Sequence, residues 1–329
     1  MEETNAYAAP VRALVTGAGG FVGTHLIAHL LENTDWQLVC ATHSQAREAG
    51  DSERVRWVRC DLLDKRQIVE LVEGVVPGFV FHLAAQSNVQ QSFKDPEGTF
   101  ITNVVGQLNL LNVLSMVSPT ARILVACSSE QYGLARPEDI PIDEETPFRP
   151  NNPYAVSKIA QDALAVQHFL SWGQQTIRVR AFNHIGPGQS EHFVASAFAR
   201  QIARIEAGLQ EPVLYVGNLE AERDFTDVRD MVRAYLLALT RGEPGGVYNI
   251  GSGKAHTIQS LLDAFLAASK VPVEVRQDPA RMRPSDIPVL LCDASRFKQR
   301  TGWTPQIPLE QTLQDILDYW RKMVMKRET

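Results

Sequence analysis

The sequence predicts an α/β protein built on a doubly wound parallel sheet, with a smaller α/β lobe toward the C-terminus. Three observations predict it. Apolar runs of strand length alternate with helix-length segments through the first half of the chain. Those runs are continuous in Val, Ile and Leu rather than alternating, which suits strands covered on both faces. After "NHIGPGQS" the rhythm changes, and Pro and Gly cluster at 186–188, 244–246, 272–288 and 302–308.

Taken in order, the first strand is read at 11–17 (VRALVTG), with a helix from about 21 to 31. Strands follow at 36–42, 55–60, 79–84 and 122–128, with a helical stretch at 99–117 before the last of these. "NNPYAVSK" opens another helix, with Asn152 as N-cap, Pro153 in the first turn and Gly173 as the stop. A sixth strand is read at 176–183, and "GGVYNIGSG" (245–253) returns to the main sheet. The expected division is a nucleotide-binding domain at 11–183 plus about 225–252, a substrate lobe at 184–224 and 253–325, and a flexible N-terminus at 1–10.

Bulk properties narrow the function classes. The 329 residues are 44% hydrophobic and 21% charged, an ordinary globular composition. A net charge of −6 without a dense Lys/Arg block speaks against nucleic acid. No basic flank precedes an apolar segment at the start, so no signal peptide is expected, and no apolar run is expected to be long enough to cross a bilayer. Cys40, Cys60, Cys127 and Cys292 form no CxxC pair and read as buried reduced thiols, which suits a cytoplasmic location. His25 and His29 share a helix face but lack the glutamate of a zinc motif; no metal is expected.

"TGAGGFVG" places Gly17, Gly20 and Gly23 between the first strand and the first helix. Residues without a Cβ let backbone approach a pyrophosphate at a helix N-terminus, so the sheet is read as a Rossmann-type dinucleotide site. An NAD enzyme of this kind carries an acid at the end of the second strand. Here Thr42, His43 and Ser44 stand there, with Arg47 after them. This favours NADP, and NAD stays open. Asp61, after the third strand, is a candidate for the adenine amino group, with a helix N-cap as its alternative.

Tyr154 and Lys158 lie one helical turn apart on one face. An ammonium beside a phenol lowers its pKa, which allows proton exchange with a substrate oxygen near neutrality. Ser128, at the end of the fifth strand, can hydrogen-bond that oxygen as its charge changes. Ser129 and Glu130 follow it directly. Glu130 is read as a substrate contact, an elimination base, or a turn residue.

With these residues in hand, the chain resembles the extended short-chain dehydrogenase/reductase family through "TGAGGFVG", "FHLAAQS", "SSEQYG" and "YAVSK". The resemblance covers nearly the whole chain. It implies Ser128, Tyr154 and Lys158 as catalytic residues. It also implies cofactor contacts from Phe21, Val22, Leu62, Leu83, Ala84 and Ala85, and Asn103 supporting the site from the preceding helix. Noncatalytic members, such as an NADP-binding sensor, lose the Tyr/Lys pair that this chain keeps.

"RAFNHIGPGQS", "VGNLEAERDFTDVRD" and "RMRPSDIPVL" are similar to the branch that acts on GDP-mannose derivatives, which contains 4-keto-6-deoxy sugar reductases and 4,6-dehydratases. The strings after "FNH" and "RD" follow the reductase pattern. Glu130 occurs in both, so the dehydratase with Glu130 as base stays open. For a GDP-linked deoxyhexose, Arg223 and Arg283 are candidates for the diphosphate, Asn183 for a phosphate oxygen and Asp286 for ribose. Asn218 and Val194 match the guanosine pocket. The resemblance implies GDP-D-rhamnose as product, with GDP-talose open. It also implies a homodimer through the helices at 99–117 and 153–172, whose apolar faces could instead be core.

Overall fold

The computed structural model describes residues 11–43, 52–281 and 287–326. The N-terminal segment 1–10 and three expected site residues, Arg47, Arg283 and Asp286, lie outside the described residues. The chain runs through β1 (Arg12–Thr16), α1 (Phe21–Asn33), β2 (Gln37–Thr42), β3 (Val55–Arg59), α2 (Lys65–Val75) and β4 (Phe79–His82). Two short helices, α3 (Val89–Lys94) and α4 (Pro96–Phe100), pass through a π turn at Ile101–Val105 into α5 (Gly106–Val117). β5 (Arg122–Ser128) ends in a 3-10 turn, Ser129–Tyr132, and α6 (Pro153–Trp172) precedes β6 (Gln175–Ala181). Then come β7 (Asn183–Ile185), α7 (Val194–Glu206), β8 (Val213–Val216), β9 (Glu222–Asp227), α8 (Val228–Arg241) and β10 (Val247–Ile250). The chain finishes with β11 (Ala255–Thr257), α9 (Ile258–Ala267), β12 (Glu274–Gln277), β13 (Val289–Leu290), α10 (Ser295–Thr301) and α11 (Leu309–Lys326).

Seven strands form one parallel sheet in the order β10-β6-β5-β4-β1-β2-β3. Alternate residues of each strand enter different apolar layers. Ala13, Val15, Phe81 and Leu124 face the layer holding α1 and α8, whereas Leu14, Val80, Ile123 and Val125 face α2 and α5. Both faces are therefore apolar, which is why the strands read as continuous runs. Strand order reverses between β1 and β4, so the connections after these strands diverge and leave a crevice at their carboxyl ends. A separate apolar cluster joins α7, α9 and α11 through Phe198, Ile202, Phe265, Ile316 and Trp320. Phe297 and Trp303, late in the chain, pack instead with Tyr248 in the α1/α8 layer.

Three expectations change. The helix read at 99–117 starts three residues earlier, at Pro96, where Asp95 caps it by accepting from the Gly98 amide at 2.9 Å, and a π turn at Ile101–Val105 interrupts its α pitch. That turn joins α4 to α5 in a 22-residue helical stretch, Pro96–Val117, which corrects the expectation on apolar runs: by length and composition it is long and apolar enough to cross a membrane. Half of it is buried, with Leu110, Leu111 and Leu114 in the sheet core. The strand at 176–183 also splits. Phe182 bonds to Ile250 of β10, and Asn183 then leaves the main sheet to pair with Phe225 of β9. The α6 limits stand as read: the Asn152 side chain accepts from the Ala155 amide at 2.8 Å, and Gly173 is left-handed at φ 67°.

Candidate active site

The glycine turn is built by close approach. Gly17 sits at φ +69°, and a Cβ there would lie 2.7 Å from the Ala84 amide nitrogen. At Gly23 a Cβ would come within 2.5 Å of the Gly17 carbonyl oxygen. The N-cap of α1, Gly20, provides no side-chain cap, and Gly20 and the first-turn residues Phe21, Val22 and Gly23 line the crevice. A cleft of about 560 Å³ opens there, lined by Gly17, Gly20, Phe21, Val22, Gly23, Thr42, Leu83, Ala84 and Ala85. Its far wall carries Ser128, Ser129, Glu130, Tyr154, Lys158 and Asn183. The residue types and the open amides fit a dinucleotide pyrophosphate.

Three expected residues stand outside that lining. Asp61 accepts from the Leu63 amide at 2.9 Å and lies 3.7 Å from the His43 ring. It does not cap α2; Asp64 does, accepting from the Arg66 amide. The Leu62 carbonyl accepts from the Asn109 side chain at 3.0 Å. Asn103 is fully buried. Its Oδ1 accepts from the Gln86 amide at 2.7 Å, while its Nδ2 donates to Gln86 O and Ser157 Oγ. It fastens the segment after β4 to α6.

The expected catalytic residues sit where β5 meets α6. Ser128 ends β5, Tyr154 lies in the first turn of α6, and Lys158 follows one turn later. The Lys158 ammonium donates to the Ala126 carbonyl at 2.7 Å and lies 5.8 Å from the Tyr154 ring centre. Burial pulls its pKa down to about 8. Burial pushes the Tyr154 phenol above its ordinary value; a hydrogen bond with Ser128 opposes this, and Glu130 adds to it. The expected lowering by Lys158 is thus corrected. Desolvation dominates, and the protein alone keeps the phenol protonated at neutral pH.

Glu130 lies in the turn after β5, with its amide donating to Ser128 Oγ at 3.2 Å. Its Oε2 accepts from Asn152 Nδ2 at 3.1 Å. Asn152, legible in sequence only as a cap, therefore also holds the Glu130 carboxylate. His184 was missed. It lines the cleft stacked on Phe21 (ring centres 6.3 Å apart), and its only signal was the "FNHIGPGQS" string.

A second cleft, about 260 Å³, lies under α7 and β9 and shares Gln90, Asn183 and His192 with the first. Val194, Asn218 and Arg223 line it, joined by Tyr215 and Arg281. Arg223 is not half of a surface ion pair with Asp224, because both are buried. Asp224 turns inward and accepts from Ser252 N, Ser252 Oγ, Gly253 N and Cys292 N. No cluster of His, Cys, Asp and Glu able to hold a metal occurs among the described residues.

A family model described as GDP-mannose 4,6 dehydratase matches residues 14–316. The chain belongs to that family. GDP-6-deoxy-D-mannose reductase of Pseudomonas aeruginosa is 39% identical over 95% of this chain and 98% of its own length. GDP-mannose 4,6-dehydratase of Yersinia enterocolitica is 30% identical, covering 93% of this chain and 92% of its own. Among solved structures, RMD from Pseudomonas aeruginosa complexed with NADPH superposes with a TM-score of 0.82 at 36% identity, covering 95% of this chain and 100% of that one. UDP-glucose 4-epimerase of Thermus thermophilus, in complex with NAD, superposes with a TM-score of 0.84 at 29% identity, covering 94% and 99%. This member of the GDP-mannose 4,6-dehydratase family thus shares its α/β fold and seven-strand parallel sheet with Rossmann-type sugar-nucleotide enzymes.

Proposed function

We propose that the protein is an NADPH-dependent reductase that converts the C4 ketone of GDP-4-keto-6-deoxy-D-mannose to the hydroxyl of GDP-D-rhamnose. One observation carries this reading: Ser128, Tyr154 and Lys158 share a cleft with the glycine turn, and a second cleft opens into it. The greater identity to the reductase relative than to the dehydratase supports it. NADP is favoured because Thr42 and His43, not a carboxylate, stand at the end of β2. When bound, NADPH supplies hydride for a carbonyl carbon.

The chain's own residues do the rest. Tyr154, held protonated by burial, donates its proton to the oxygen that gains charge at C4. Ser128 hydrogen-bonds the same oxygen. Lys158 contributes positive charge beside the phenol and contacts the nicotinamide ribose. Arg223 and Asn183 meet the diphosphate, with Val194 and Asn218 at the guanosine; Arg283 and Asp286 complete this set in the proposal. Ser129 and Glu130 hold sugar hydroxyls.

A second reading is supported by Glu130 lining the same cleft: dehydration of GDP-mannose with Glu130 as the base. A paired assay separates the two. Consumption of NADPH only with the keto sugar supports the reductase; conversion of GDP-mannose to the keto sugar without net cofactor use overturns it. The reading also includes a cytoplasmic homodimer, supported by exposed Ile101, Val105 and Met116 beside exposed Val156 and Leu170 on α6. The division into a nucleotide-binding domain (11–183 with about 225–252) and a substrate lobe belongs to the same proposal.

A further inference from the structure

We infer that Gln131 is a positioning residue that sets the distance between the Ser128 hydroxyl and the Tyr154–Lys158 pair. Gln131 is fully buried in the turn after β5 and does not line the cleft. Its Oε1 accepts from the Ser128 amide at 3.0 Å, and its Nε2 donates to Asp162 Oδ2 at 3.3 Å. These two partners fix the amide's orientation. Flipped, it would set NH₂ against an N–H and an oxygen against a carboxylate. Asp162 is itself immobilised, accepting from Arg178 Nη1 at 2.7 Å and Arg180 Nε at 2.8 Å. It lies on α6 four residues beyond Lys158 and eight beyond Tyr154, so all three share a helix face.

One side chain therefore ties the strand end that carries Ser128 to the helix that carries the acid. The opposite side of the turn is tied to the same helix through Glu130 and Asn152. An aliphatic residue would fill the volume but leave the Ser128 amide without its acceptor. The turn would then be free to shift, and a displacement on the order of 1 Å at a reacting group costs roughly 100-fold in rate.

The inference uses the proposed reaction only as its assay, and a two-by-two cycle tests it. Gln131→Met is made in the wild type and in Ser128→Ala, and kcat, KM, NADPH affinity and thermal midpoint are measured for all four proteins. A residue acting through Ser128 loses kcat by about 10- to 100-fold in the wild type but less than about threefold in the Ser128→Ala background, with NADPH affinity kept within about twofold. An unchanged kcat, or an equal loss in both backgrounds, overturns the inference. If Gln131→Met does not fold, the same cycle with Gln131→Asn, whose amide is one methylene short of the Ser128 amide, decides by the same criterion. If the wild type fails to reduce the keto sugar, the proposed function falls alone, and the cycle is read on GDP-mannose dehydration.

Discussion

At the scale of single residues, Tyr154 and Glu130 pose different questions. In the proposed mechanism, Tyr154→Phe removes the proton donated to the C4 oxygen while leaving the aromatic ring in place. Turnover should drop at least 100-fold with NADPH affinity nearly unchanged, and an active variant would sink the mechanism. Glu130→Gln keeps an acceptor for Asn152 and a polar contact for sugar. A substrate contact should then cost less than about tenfold in kcat, whereas loss of a required base costs roughly 100- to 10,000-fold. Lys158 makes a pH prediction. Its folded pKa lies near 8 against 10.5 for the free group. Between these values the unfolded chain binds more protons than the fold, so this group's contribution raises stability as pH climbs through the window. Lys158→Met should therefore gain most over the wild type near pH 7, and the gain should shrink by about pH 10 in urea unfolding. A constant difference between the two proteins would refute it.

At the scale of elements, α6 is the organising piece. Its N-terminus is capped by Asn152, its first two turns present Tyr154 and Lys158, and Asp162 locks the next turn onto β6 through Arg178 and Arg180. These guanidiniums hold the Asp162 carboxyl below its ordinary pKa despite its burial. Its stabilising contribution is thus present above the unfolded value of 3.8 and lost as pH falls below it. Asp162→Asn leaves the buried Arg180 and the partly buried Arg178 undercompensated and should destabilise by about 3 kcal/mol, read as a lower urea midpoint at pH 7. No change in midpoint would mean that Arg178 and Arg180 are satisfied by their other partners, Gly245 O, Tyr132 OH and Glu144 O.

At the scale of the whole molecule, the two clefts meet at Gln90, Asn183 and His192, where the main sheet gives way to the β7–β9 pairing. Anything that binds the folded chain alone raises its midpoint by mass action. NADPH and GDP should each raise the thermal midpoint, and Arg223→Met should remove the GDP shift while keeping that of NADPH. Loss of both shifts would show that Arg223 supports the fold rather than the diphosphate.

Sequence by itself determined the elements that rest on neighbours within a few residues. The glycine turn, the apolar strands, the Asn152 and Gly173 limits of α6, and the i, i+4 placement of Tyr154 and Lys158 all follow from local sterics and periodicity. Tertiary structure decided what depends on distant partners. The π turn at Ile101–Val105 has no periodic signature. The Tyr154 phenol is raised because burial, invisible in the spacing of Tyr and Lys, outweighs the Ser128 hydrogen bond that opposes it. Nothing in the sequence singles out Gln131, because its partner Asp162 lies 31 positions away on α6. Contacts of that separation carry no local pattern, since the folded backbone alone brings the two side chains within reach.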